Sequence, residues 1–283
     1  MPRSLPALAS LLTGRWPRNT GLLGSGDDLG EPMETLATAL ASQGYGCAWF
    51  VPESWARLPL LGQGFEHAGA DGDLQAALDW LRRGDSAPRF ALVHVGANLT
   101  DPDLVDRIEA WVAGAPGGRL AAVAGLAGPV SMDDPLRDRS VRVPLAILGS
   151  GAEPGRRERF AASLHDLPRT LASAVGAPWT SRDRSADLLS PDLARHQRLL
   201  VLETFFPDVP ADRQAVVVEG LVLHRPAAPP AQPDWPRMFV DPARSSLAPR
   251  DLAPGAPGQA DTIERLFAVW RNGQRRLEHW RAH

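Results

Sequence analysis

Four groups of residues in this sequence have the types and spacing that could support catalysis. Ser4 precedes an apolar run and could serve as a nucleophile beside a general base. Asp27–Asp28 and Asp133–Asp134 are adjacent carboxylates that could bind a divalent cation or transfer protons. His165–Asp166 supplies an imidazole and an orienting carboxylate, although the spacing ties no nucleophile to this pair.

Each group also has a structural interpretation. A serine at the start of an apolar run is a common helix N-cap. Asp27–Asp28 and Asp133–Asp134 lie in polar stretches with Gly, Ser or Pro, where aspartate favours turns. We favour the structural interpretation for both pairs, and we expect His165 to be structural and Cys47 to be a buried, inert thiol. Asp133–Asp134 is the better metal candidate, because it follows a predicted strand.

The composition of the 283 residues excludes several classes of function. Every basic residue counted among the 30 Lys and Arg is arginine, so no mechanism can use a catalytic lysine. The net charge of −3 gives no broad basic surface for nucleic acid. A single cysteine excludes an intrachain disulfide, and no apolar run is long enough to cross a membrane. We expect a cytoplasmic protein that binds neither nucleic acid nor membrane.

Apolar periodicity predicts alternating helices and strands over the first two thirds of the chain. This order is typical of an α/β fold with a mostly parallel sheet flanked by helices. The predicted helices cover residues 5–13, 32–43, 73–83, 101–113 and 163–175, and the predicted strands cover 45–51, 89–95, 119–128 and 144–148.

The remaining third of the chain has a different pattern. Runs at 199–205 and 214–223 predict an antiparallel hairpin, the proline-rich stretch 226–236 predicts a loop, and 261–280 predicts a terminal helix. We therefore divide the chain into an α/β domain over 1–190 and a smaller α+β part over 191–283.

The order of several motifs resembles the sulfatase family of the alkaline phosphatase superfamily. The run SLPALASLLTGR at Ser4–Arg15 is similar to the family signature CxPSRxxLLTGR. Downstream, TLATALASQGYGCAWF resembles the helix and strand that follow the signature. VRVPLAILGSG followed by SLHDLPRTLASAVGAP is similar to the family's RVPLIIxGPG and SLVDLAPTLLDLAGVP. The resemblance implies a sulfatase-like α/β fold.

The resemblance also assigns roles to positions in this chain. Ser4 stands where the family has its nucleophile, and we name Arg15 of the signature as the candidate substrate-binding cation. Leu8 replaces the arginine that directs modification of the nucleophile. Leu126 and Ala127 stand where the family has the Asp and His, or Asp and Asn, that hold its divalent cation. A further site histidine of the family falls on Leu99.

Two functional hypotheses remain open. The first is a catalytically inactive sulfatase-like protein without a metal cofactor, which acts by binding. The family's first strand, expected before Ser4, is not in the sequence, so another protein chain could complete the sheet. The alternative is an active sulfate or phosphate ester hydrolase with Ser4 as nucleophile and Ca²⁺ or Mg²⁺ held by Asp133 or Asp134. A third possibility is that the strand is encoded upstream of Met1.

Overall fold

A computed structural model gives the fold of most of the chain. It describes residues 4–24, 27–70, 72–83, 87–96, 103–115, 118–128, 141, 143–158, 162–180, 183, 185–193, 199–204, 213–218, 221–226 and 237–240. Asp133, Asp134, Leu99 and the predicted terminal helix lie outside these residues.

The chain begins with the signature helix α1, Ser4–Thr13. Leu5, Leu8, Ala9 and Leu12 are buried. The helix ends at Gly14, whose φ of +62° is the left-handed conformation that favours glycine at a helix end. A short helix α2, Pro17–Thr20, follows. The predicted signature helix is therefore present with the predicted end.

A three-stranded parallel sheet follows, with β1 (Gly46–Phe50) between β2 (His67–Gly69) and β3 (Arg89–Val93). Helix α3 (Leu36–Ala41) precedes β1. Helix α4 (Glu53–Ala56) lies between β1 and β2, and α5 (Leu74–Leu81) lies between β2 and β3. The helix predicted over 32–43 begins only at Leu36, because the side chains of Thr35 and Thr38 form a capping box there.

The next part of the chain forms a second, antiparallel pair. Helix α6, Leu104–Ala113, leads to β4, Leu120–Ala124, which pairs with β5, Leu145–Gly149. A 3₁₀ turn at Leu164–Asp166 then continues directly into α7, Leu167–Ala174.

A four-stranded antiparallel sheet follows in sequence. Its strands, in spatial order, are β6 (Leu199–Thr204), β7 (Arg213–Val218), β8 (Leu221–Pro226) and β9 (Arg237–Val240). The single strand predicted over 214–223 is wrong, since this run contains most of β7 and the start of β8. The expected fold class, a parallel sheet flanked by helices and followed by a smaller antiparallel part, is confirmed.

Two groups of apolar side chains pack against α1. The first core cluster consists of Leu5, Leu8, Ala9, Leu12, Leu22, Leu29, Met33, Trp49, Val51 and Leu61. The second core cluster consists of Leu167, Leu188 and Leu193, with β4 and β5 side chains against it. Leu11 of α1 contacts both clusters, so this helix links the parallel sheet to the β4–β5 pair.

Burial is distributed unevenly along the chain. Strand β1 is buried from Cys47 to Phe50, as expected for a strand covered on both faces. In contrast, no described residue from Leu81 to Leu164 is buried, although β3, β4, β5 and α6 all lie in this range. The described core is therefore well packed around α1 and β1 and remains open around β3 and β4.

Candidate active site

Ser4, the predicted nucleophile, is the first residue of α1 and is half-buried. The N–H groups of a helix's first turn have no partner within the helix, so this end carries a partial positive charge. Such a position would suit an anionic group. The chemistry available there depends on the side chains that surround it.

Arg15, the candidate substrate-binding residue, lies at the other end of α1. Ser4 and Thr13, the two ends of α1, are nine positions apart, which corresponds to about 14 Å along an α-helix, and Arg15 follows Thr13. The Arg15 guanidinium is mostly buried and lies 3.6 Å from the carboxylate of Glu31. The structure therefore does not bring Ser4 and Arg15 together in one site.

Leu8, at the position of the family's arginine, belongs to the first core cluster. Its exposed fraction is only 2%, among the lowest of the large side chains. A guanidinium at this place would lose its hydration without gaining a described acidic partner. The helix side next to Ser4 is thus built as hydrophobic core.

Leu126, at the family's metal-ligand position, follows β4 and packs against the same first core cluster as Leu8. Its neighbour Ala127 is half-buried. Neither hydrocarbon side chain can donate an electron pair to a cation, and divalent cations such as Ca²⁺ and Mg²⁺ require oxygen ligands. These two residues therefore do not fit the metal that the fold implies.

The carboxylates of Asp27–Asp28 accept hydrogen bonds from backbone N–H groups, those of Asp27 within its own loop and those of Asp28 from a segment farther along the chain. Asp27 Oδ2 accepts the N–H of Gly24 at 2.6 Å. The two oxygens of Asp28 accept the N–H groups of Leu60 and Leu61 at 2.8 and 2.9 Å. The structural interpretation of this pair is confirmed. Within the part of the chain that the structure describes, no group of three or more His, Cys, Asp or Glu could hold a metal ion.

His165–Asp166 is buried at the turn that begins α7. The carboxylate of Asp166 accepts the N–H groups of Ser163 and Ala186, both at 2.8 Å. The ring of His165 packs edge-on against Trp16, with 6.4 Å between centroids. The carboxylate therefore caps the turn and fixes the following segment, as expected for a structural pair.

Asp183 is a buried carboxylate that the sequence analysis did not identify. Its Oδ2 accepts the N–H of Trp16 at 2.8 Å, and both its oxygens lie 2.9 Å from the amide nitrogen of Asn19. It thereby attaches the loop after α1 to a segment 167 residues along the chain from Trp16. No local sequence signal reveals such a distant contact.

Cys47 lies in β1 with 1% of its surface exposed. Burial, assisted by the negative charge of Glu66, raises the pKa of the thiol from 9.0 to about 12. The thiol therefore stays neutral at physiological pH, which confirms the expected inert cysteine.

Comparison with solved structures identifies the fold. A 2-O glycosaminoglycan sulfatase has a TM-score of 0.73 at 14% identity, covering 100% of this chain and 84% of its own. A protein assigned as a sulfatase from Bacteroides thetaiotaomicron has a TM-score of 0.72 at 14% identity, with the same coverage. The phosphonate monoester hydrolase of Silicibacter pomeroyi has a TM-score of 0.61 at 14% identity, covering 97% of this chain and 86% of its own.

Sequence comparison adds no assignment, since no protein-family profile and no curated protein matches the chain. The fold is nevertheless that of these solved sulfatase structures, as the signature motifs predict. The described helices include none long and apolar enough to span a membrane.

Proposed function

We propose that this chain is a binding protein built on the sulfatase fold and that it does not hydrolyse sulfate or phosphate esters. The observation that carries the proposal is the shared packing of Leu8 and Leu126 with the first core cluster. Both are positions at which the family resemblance implies a charged or metal-binding group. Hydrocarbon side chains therefore stand at the positions where the resemblance implies a guanidinium and a metal ligand.

The proposal also accounts for the good packing of the rest of α1. Leu5, Leu8 and Leu12 are each at most 4% exposed, and their helix joins both core clusters. The signature helix thus has a structural role, the joining of the two core clusters, that requires no catalytic role. A scaffold adapted for binding would keep this helix for its packing while hydrophobic residues such as Leu8 and Leu126 replace the polar residues of the site.

A hydrolysis assay tests the proposal. The purified full chain would be incubated with p-nitrophenyl sulfate and p-nitrophenyl phosphate, without metal and with Ca²⁺, Mg²⁺, Mn²⁺ or Zn²⁺. We expect no metal-dependent rate above that of buffer, and metal analysis should find far less than one divalent ion per chain.

The Ser4→Ala variant is the matched control, because it removes only the hydroxyl of the predicted nucleophile. Metal-dependent hydrolysis by the natural chain, abolished in Ser4→Ala, would overturn the proposal. That result would favour the alternative in which Ser4 attacks an ester and Asp133 or Asp134 holds the metal. Hydrolysis that persists in Ser4→Ala would indicate a contaminating enzyme. It would support neither Ser4 as a nucleophile nor an active site in this chain.

A further inference from the structure

We draw no further inference here: the strongest candidate, the buried polar groups of α1 and of the segment after α7, where Ser10 Oγ, Trp179 Nε1 and Ser185 Oγ have no hydrogen-bond partner among the described residues, carries nothing because no contact in the structure places these three atoms around a common ligand.

Discussion

At the scale of single residues, Leu8 is the position that most directly separates a binding scaffold from a sulfate-binding site. If it is a core residue, Leu8→Met should cost less than about 1.5 kcal/mol, because the volume is conserved. Leu8→Arg should cost about 3 kcal/mol or more, since a buried charge would lack a partner. Urea unfolding followed by fluorescence measures both. Equal stability of the two variants would show that a cation is accommodated there and would weaken the proposed function.

Cys47 gives a second prediction at this scale. Its pKa is raised to about 12, so the folded state favours the neutral thiol. The resulting stabilisation is fully present below pH 9.0 and is lost as the pH rises towards about 12. Thiolate absorbance at 240 nm should therefore titrate late in the native protein and near the ordinary value in urea, with Cys47→Ala as the blank. A native midpoint near the ordinary value would contradict the burial of this thiol.

The residues of the candidate site could be predicted from the sequence where a short motif contains them. The substitutions at Leu8 and Leu126 are visible in the sequence, and the structure adds that both pack against one cluster. The separation of Ser4 and Arg15 follows from the helix between them. The role of Asp183 was not predictable, because its partners Trp16 and Asn19 are brought close only by tertiary folding.

At the scale of elements, apolar periodicity predicts the long helices and buried strands but not the short ones. The helix α4 and the edge strand β2 were missed, since four or three residues carry no periodic signal. The pattern over 214–223 predicts one strand because its apolar residues continue almost without interruption from β7 to β8.

Two glycines provide a matched test of how the loop before β2 packs on α3. Gly44 and Gly64 both have positive φ, so replacement by alanine strains the backbone at either place. A Cβ at Gly44 would meet nothing within 4 Å, whereas one at Gly64 would lie 2.5 Å from the backbone nitrogen of Thr38. Gly44→Ala should therefore cost about 1 kcal/mol, and Gly64→Ala about 1–3 kcal/mol more.

Thermal or urea unfolding of the two glycine variants measures the difference. Subtracting the cost of Gly44→Ala from that of Gly64→Ala removes the backbone strain common to both variants. The remaining difference is the cost of the clash between the new Cβ and α3. Equal costs would show that the loop moves away from the helix and that their close contact is not required for folding.

At the scale of the whole molecule, the residues that the structure describes include a closed half and an open one. The closed half contains α1, β1 and the first core cluster, and the open half contains β3, β4, β5 and α6, which have no buried residue. Apolar burial is the main source of folding free energy, so the two halves should differ in local stability. The sequence predicts the elements of both halves, but it does not show which of them lack cover.

Native-state hydrogen exchange in increasing urea tests this division. Ala48 and Phe50 of β1 pair with β3 and lie in the closed core, so their amides should exchange only through global unfolding. Ala121 and Val123 of β4 pair with β5 but lack buried surroundings, so their amides should exchange through partial opening at a free energy lower by about 2 kcal/mol. Equal protection of both strands in the unliganded chain would mean that the molecule is a single cooperative unit already, and the half-buried state of β3 and β4 would then have no energetic consequence.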